Sequence, residues 1–382
     1  MTGLLFASAA MAQTQKGNGL LSGNISTNYS RQESPSGNVT TTWLPAITLT
    51  GGRFWSDNWL AGLSASSVST FGRQQAAATP NLTYISNSIP ISVTPFFRRY
   101  WQVNSVYLFA GAGLSVNIAN SKQPSFDSNG QPIGVKSSSW TINPRLEAGA
   151  TYFVTNRLSL QLLAATSSLP LSTASLSAGL VYWTGSDRHA DTQEERTNVQ
   201  TDPGKWVLEG GFSINNQKNS HSGSSSTLAY QSSNSTYSFN PSVGFFVKKN
   251  SLFGITIPIS YNFSKTENSS VPAVENVLWG VGVSPYFQHY WASTRLTPYT
   301  RVNAGYTHYN SESFKANNVN GGLTIGLAYM AGERFIIETS LVSASVDYLT
   351  ADGLNGMSNN KIWTAGISAG LTGNFAIRYV LQ

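Results

Sequence analysis

The chain has 382 residues, of which 23 are Lys or Arg and 17 are Asp or Glu. Charged residues make up 10% of the chain, against roughly 25% in an ordinary soluble domain, which excludes the surface of a typical cytosolic enzyme. The absence of cysteine excludes a disulfide framework and a thiolate metal site. The net charge is +6. The basic residues are scattered along the chain, with no run of Lys or Arg longer than two, so we expect no nucleic-acid partner.

The first twelve residues are typical of an export signal. A short apolar core begins at Leu4, and Ala10-Met11-Ala12 is a cleavage pattern of small residues before Gln13. The apolar stretch is far shorter than the roughly 18 residues that a membrane-spanning helix requires. We therefore predict a signal peptide over residues 1–12. Because no positive charge precedes the apolar core, we expect the natural signal to start further upstream.

The remainder of the chain alternates apolar and polar residues, which predicts β-strands with two different faces. In Val106–Ile118, the residues Val106, Leu108 and Leu114 alternate with Tyr107, Phe109 and Gly111. Trp140–Tyr152 and Asn320–Tyr329 repeat this pattern. No segment shows a convincing helical period. An all-β fold follows.

The connections between these strands alternate between short and long. Short turns are predicted at Ser56–Asn58, Gln102–Ser105, Thr155–Arg157, Lys249–Ser251 and Gly332–Arg334. Long polar loops are predicted at Gln32–Asn38, Phe71–Ser88, Ser121–Ser138, Asn216–Ser235, Lys265–Glu275 and Asn310–Asn317. Short turns on one side and long loops on the other are typical of outer-membrane barrels.

Aromatic residues cluster beside the short turns and, on two strands, also at the opposite end. We predict that they form girdles at the two membrane interfaces. The girdle residues are Trp55, Trp59, Tyr100, Trp101, Trp140, Tyr152, Trp279, Tyr290, Trp291 and Tyr329. A soluble β-sandwich would show the same alternation without matched girdles, so the sequence predicts an antiparallel transmembrane β-barrel.

The chain contains an internal duplication, and each half holds about eight predicted strands. Thr94–Trp101 matches Ser284–Trp291, and Gly149–Arg157 matches Gly326–Arg334. We predict a first eight-stranded repeat over residues 13–184 and a second over residues 206–382. The charged segment 185–205 between them is predicted to be a periplasmic linker.

Each half resembles the small outer-membrane β-barrels of Gram-negative bacteria, the OmpX/OmpA-like family. The resemblance covers essentially the whole mature chain and includes the alternating terminal strand Phe375–Leu381. It implies a location in the bacterial outer membrane, contact with outer-membrane lipids and recognition by the barrel assembly machinery. The chain departs from the family in its last residues, Leu381-Gln382, where the family has an aromatic residue.

Sixteen strands can form either one wide barrel or two narrow ones. Small residues on the predicted lumen face, such as Gly111 and Gly113, favour two narrow barrels with packed interiors, although chains with two tandem barrels are rare. Buried charges must be paired. We therefore predict that the few lumen charges form structural networks; these are Arg98, Arg145 and Glu147 in the first half, and Arg301 and Glu338 in the second.

The sequence shows no clear catalytic, cofactor or metal site. Of the four histidines, His308 alone lies near plausible partners, among them Ser311 and Glu312, and lipid hydrolysis there is the weakest of three hypotheses. The favoured hypothesis is a non-catalytic barrel with a structural or surface-interaction role through its outer loops. The alternative is a passive, porin-like channel for small solutes, which requires a single sixteen-stranded barrel. No extracellular ligand is identified.

Overall fold

The computed structural model describes residues 14–34, 37–76, 79–126, 132–155, 157–166, 174–184, 200–221, 230–268, 271–312, 314–353, 360–371 and 375–381. The predicted signal peptide and residues 185–199 of the predicted linker lie outside these ranges. All regular secondary structure within them is antiparallel β-strand. Nowhere in these ranges is a helix long and apolar enough to cross a membrane.

The strands follow one another along the chain with few interruptions. Those of the first half are β1 (Gly19–Glu33), β2 (Val39–Ser56), β3 (Trp59–Val68), β4 (Thr70–Ala76), β5 (Thr79–Val103), β6 (Val106–Phe126), β7 (Pro132–Phe153), β8 (Leu158–Thr166) and β9 (Ala174–Thr184). Those of the second half are β10 (Trp206–His221), β11 (Tyr230–Lys248), β12 (Ser251–Thr256), β13 (Ile259–Asn268), β14 (Val271–Tyr290), β15 (Leu296–Ser311), β16 (Phe314–Ala331), β17 (Phe335–Gly353), β18 (Asn360–Gly370) and β19 (Phe375–Leu381).

Strands β1 to β9 form a closed eight-stranded barrel, called the first ring. Strands that follow one another in sequence pair with each other, except that β3 and β4 each pair with both β2 and β5 and together occupy one position between them. The ring closes where β9 pairs with β1 over Gly19–Leu21.

Strands β10 to β19 pair in the same order and form the second ring. β12 and β13 share one position between β11 and β14, and β18 and β19 both pair with β17. The pairings return to their start where β19 pairs with β10 over Trp206–Glu209.

The two rings are also joined to each other through hydrogen-bonded strands. β1 pairs with β9 only over its first residues, and further along the strand it pairs with β18, so that Asn24–Glu33 lies beside Lys361–Gly370. At the branch, the Leu371 N–H donates to Gly23 O, and the Leu180 N–H donates to Leu371 O. The strands of the two rings are therefore not paired with each other at the end with the short turns, called the base, and the two sheets are continuous above it.

An aromatic and aliphatic cluster fills each ring near its base. The first cluster includes Phe54, Tyr100, Phe109 and Trp183, and the second contains Phe246, Tyr286, Tyr290 and Tyr299 among others. Inward residues alternate along each strand with outward apolar residues that remain exposed. A narrow barrel has an interior that side chains can fill, and these clusters fill it near the base.

Two glycines that align in the sequence match between the halves allow the clusters to pack. A Cβ atom on Gly149 would collide with the Phe109 ring, and one on Gly326 would collide with the Tyr299 ring. Each added Cβ would also collide with a carbonyl oxygen of the neighbouring strand. An inward aromatic ring therefore lies directly over a glycine in each ring.

The bases of the two rings share the same turn structure. Asn58 and Asn250 have positive φ angles of 64° and 63°. Thr14 Oγ1 donates to Asn58 Oδ1 at 2.7 Å, and Thr201 Oγ1 donates to Asn250 Oδ1 at 2.5 Å. Asn tolerates a left-handed backbone better than most residues, which suits it to these turns.

The predicted linker ends too late in the sequence. Gln200 is buried and donates hydrogen bonds to the backbone oxygens of Gly332 and Phe335. Thr201, also buried, makes the turn contact described above. Residues 200–205 thus belong to the base of the second ring, because they close it as residues 14–18 close the first.

The predicted long loops are largely wrong, since strands run into all of them. The clearest case is Phe71–Ser88, where β4 and β5 form a hairpin. β5 reaches 25 residues, well beyond the roughly 9–11 residues that a tilted strand needs to cross a membrane. Cross-strand hydroxyl pairs stabilise such polar extensions; the hydroxyl oxygens of Ser121 and Ser137 lie 2.6 Å apart.

Candidate functional site: the charged interiors of the two rings

The interior of the first ring holds a buried ion pair. Arg98 on β5 donates from Nε to Glu147 Oε1 at 2.5 Å and from Nη2 to Glu147 Oε2 at 3.3 Å. Both side chains are almost fully buried, and this two-point geometry is the strongest form of an arginine–carboxylate pair. Gly111 allows the approach, since a Cβ there would lie 2.9 Å from Arg98 Cγ and 3.0 Å from Glu147 Oε1.

Aromatic rings and a second arginine complete this first network. The Arg98 guanidinium lies 4.5 Å from the Phe96 ring centre and 4.9 Å from that of Phe109, distances at which a cation is attracted to the ring face. Arg145 lies two residues from Glu147 on the same face of β7, with its Nε 3.5 Å from Glu147 Oε2. The predicted trio of lumen charges is thus brought together.

The interior of the second ring holds a larger network centred on Arg378. Its Nη2 lies 3.1 Å from Glu209 Oε2, and its Nε lies 3.1 Å from Glu338 Oε2. Glu338 also accepts hydrogen bonds from Gln288 Nε2 at 2.7 Å and from the Tyr290 hydroxyl at 2.5 Å. Arg301 approaches Glu209 at 3.5 Å and lies 3.8 Å from the Tyr286 ring centre.

Sequence reasoning found only part of this second network. Arg301 and Glu338 both belong to it, but their ionic partners are Glu209 and Arg378, respectively. The missed residues carried a usable signal. Arg378 alternates with Ile377 and Tyr379 on the terminal strand, and Glu209 alternates with Leu208, so both positions face inward.

A cavity of about 110 Å³ lies above the aromatic cluster of the first ring. Its lining is both polar and apolar, and it includes Arg98, Arg145 and Glu147 together with Ser64, Thr94, Gln161, Phe96 and Leu163. Arg145 keeps 30% of its side chain exposed, so its guanidinium is available to a molecule in this space.

Seven of the predicted girdle aromatics face outward or are half-buried. Six of them, Trp55, Trp59, Trp101, Trp140, Trp279 and Trp291, are exposed on the outer face, and Tyr152 is half-buried. The prediction for Tyr100 and Tyr290 is wrong, because they alternate inward with Arg98 and Gln288 and are buried in the two clusters. Tyr329 is also buried, at a small cavity lined by Leu158 and Leu160 of the first ring, so that protein covers it.

The histidines do not assemble a catalytic group in the described part of the chain. His308 Nδ1 lies 2.9 Å from Asn317 Oδ1, and His289 Nδ1 lies 3.1 Å from Ser251 Oγ. His189 lies outside the described residues, as does the side chain of His221. Within the described ranges, no three His, Asp or Glu side chains converge in a way that could hold a metal ion.

The first half of the chain matches a known protein family. Residues 2–183 match the family model described as the outer membrane protein beta-barrel domain. No curated protein shows a detectable relationship to the chain. The family match and the closed antiparallel barrel together place the protein in the bacterial outer membrane.

Solved outer-membrane proteins show weak overall similarity. A mutant of the TodX monoaromatic hydrocarbon channel aligns over 97% of this chain and 92% of its own, with 11% identity and a TM-score of 0.35. The β domain of the Bordetella autotransporter BrkA aligns over 94% and 100%, with 10% identity and a TM-score of 0.33. OprG from Pseudomonas aeruginosa aligns over 48% and 100%, with 10% identity and a TM-score of 0.30. Values this low do not establish a shared fold or function.

Proposed function

We propose that this protein is a non-catalytic outer-membrane protein built as two eight-stranded barrels, with a structural or surface-interaction role. Its membrane-facing partners are outer-membrane lipids, and the barrel assembly machinery inserts it. The observation that carries the proposal is the aromatic and aliphatic cluster that fills each ring near its base, because a narrow barrel filled at one end offers solutes no continuous aqueous path.

The closure of each ring at its base supports the arrangement as two barrels. β9 pairs with β1, and β19 pairs with β10, so neither ring depends on the other for its lower hydrogen bonds. Each ring also has its own hydrophobic cluster and its own ionic network. These are the features expected of repeats that each close on themselves.

The strand extensions beyond the membrane support the surface role. They are rich in Ser, Thr and Asn, and the cross-strand hydroxyl pair of Ser121 and Ser137 supports the regular strand pairing there. A rigid scaffold that projects polar segments from a membrane is a common way to present a binding surface. We assign the interaction to these upper strands and their connections, and we identify no ligand for them.

A passive channel for small solutes is the second candidate, and the junction between the rings favours it. β1 pairs with β18 over ten residues, Asn24–Glu33, so the two sheets are continuous above the base. If β9 separated from β1 and β19 from β10 at the base, and the two sheets were also joined there, sixteen strands would form one wide ring.

Conductance of the refolded mature chain in a planar lipid bilayer separates these two functions. The proposal predicts no current steps from protein whose folding is verified by its heat-dependent mobility on a gel. Large and reproducible steps would contradict it and support the single wide barrel.

Cleavage within residues 185–199 tests the two-barrel arrangement separately. A protease site inserted there gives a cut chain that can be compared with the intact one. Two fragments that each keep heat-dependent mobility support two barrels, whereas joint loss of folding on cleavage would contradict them.

A further inference from the structure

We propose that the cavity in the first ring binds a small organic anion, a carboxylate with a short apolar chain, and that Arg145 is the residue that holds its charge. This is a binding site inside the barrel, distinct from the surface role assigned to the upper strands. It rests on the charge balance of the interior, on the hydrogen bonds of Arg145 and on the lining of the cavity.

The first interior has one more positive charge than negative among the described residues. Arg98 and Arg145 face a single carboxylate, that of Glu147. Both oxygens of Glu147 already accept hydrogen bonds from Arg98. An isolated charge removed from bulk water is costly unless it has a partner, so the surplus cation favours an anion beside it.

Arg145 is the surplus cation. Its Nε is buried and has no hydrogen-bond acceptor, since the 3.5 Å contact with Glu147 Oε2 is too long for a good hydrogen bond. The partly exposed side chain lines the cavity. An anion there would receive charge-assisted hydrogen bonds from a planar donor suited to carboxylates.

The cavity lining limits the remainder of the ligand. About 110 Å³ corresponds to the space of roughly three or four water molecules, which admits a short chain but no large group. Phe96 and Leu163 offer apolar contacts to that chain, while Ser64, Thr94 and Gln161 offer hydrogen-bonding groups. Because the aromatic cluster fills the base, the ligand would enter from the upper end.

The second ring provides an internal contrast. Arg301 and Arg378 are matched there by Glu209 and Glu338. Two cations and two carboxylates balance, so this interior has no surplus charge to recruit an anion. The proposal is therefore specific to the first ring.

Binding of butyrate to the refolded full-length mature chain in non-ionic detergent tests the proposal. Saturation-transfer NMR at low ionic strength follows the titration, with neutral butyramide as the matched ligand. We expect butyrate to bind at least tenfold more tightly than butyramide. We also expect Arg145→Gln to weaken butyrate binding at least tenfold and Arg145→Lys to retain part of it.

Arg99→Gln is the matched control, because it removes one positive charge from the same barrel at a residue that stacks on the outer-face rings of Trp59 and Trp101. Its butyrate affinity should equal that of the unmodified protein. Heat-dependent gel mobility verifies the folding of every variant. Equal binding of butyrate and butyramide, unchanged affinity in Arg145→Gln, or no butyrate binding by the folded unmodified protein would each overturn the proposal.

Discussion

Both rings contain a buried network of ion pairs, but the charged residues of the two networks lie at different positions. In the alignment of Thr94–Trp101 with Ser284–Trp291, Gln288 of the second ring stands where the first ring has Arg98. The second ring instead takes its central cation from the terminal strand, where Arg378 contacts both Glu209 and Glu338. Both narrow interiors therefore contain a buried ion-pair network, but the strand that supplies the central cation differs.

The two interiors also differ in charge balance: positive and negative side chains are equal in number in the second network but not in the first. The second network adds Gln288 and Tyr290 as hydrogen-bond donors to Glu338, which gives its buried carboxylate several partners. The first network relies on one two-point pair and leaves Arg145 beside a cavity. We therefore expect the second ring to be more sensitive to loss of its central residue.

The largest expected effect is that of Arg378→Leu. The change leaves two carboxylates without their central cation, and removing one partner of a buried ion pair costs about 3–5 kcal/mol. Urea unfolding in lipid vesicles, followed by tryptophan fluorescence, measures it. Arg334→Leu is the control, because Arg334 is exposed and its guanidinium donates to the hydroxyl of the half-buried Tyr379. A loss below about 1 kcal/mol for Arg378→Leu would contradict the central role assigned to it.

The next effect concerns the corresponding pair of the first ring. Glu147→Gln leaves Arg98 buried without its carboxylate, which we expect to cost about 3 kcal/mol. The double variant Arg98→Gln with Glu147→Gln should recover part of this loss, because no unpaired charge then remains at the pair. The same unfolding assay measures the coupling. Strictly additive losses would show that the two side chains act independently.

A smaller effect is expected where the aromatic rings lie over glycine. Gly149→Ala and Gly326→Ala each place a methyl group against a ring and a carbonyl oxygen. Overpacking of this kind costs typically about 1–3 kcal/mol. Gly210→Ala is the control, since a Cβ there meets no atom within 4 Å. Equal stability of all three variants would mean that the interiors adapt to added volume.

The smallest effect is expected at the base turns, where the rings are most alike. Asn58→Ala and Asn250→Ala each introduce a less tolerant residue at positive φ and remove a threonine partner. Asn250→Ala also removes the hydrogen bond that Asn250 Nδ2 donates to Ser293 Oγ, so its loss should be the larger of the two. We expect each to cost about 1–2 kcal/mol, mainly through the left-handed backbone. Asn104→Ala, at a φ of 54°, is the comparison, because Asn104 accepts a hydrogen bond from Gln102 through a backbone oxygen that the substitution keeps. A clearly larger loss at Asn58 than at Asn250 would argue against equivalent bases.

Sequence alone determined the β-barrel class, the outward and inward faces of most strands, and the grouping of Arg98, Arg145 and Glu147. These follow from local rules. Strict alternation assigns each side chain to a face, and two residues spaced by two on one strand must share it. The same rule assigns Tyr100 and Tyr290 to the inner face, because they alternate with outward residues. Their position beside a turn instead suggested the membrane interface.

Only the tertiary structure decided which charges meet across a ring and how far the strands extend. Glu209 and Arg378 lie on the first and last strands of the second ring, and they meet because that ring closes between them. β1 changes its partner from β9 to β18 along its length, and no sequence pattern near β1 indicates this change. Closure and pairing depend on strands distant in sequence, whereas alternation depends only on neighbours, and this is why the faces were predictable and the partners were not.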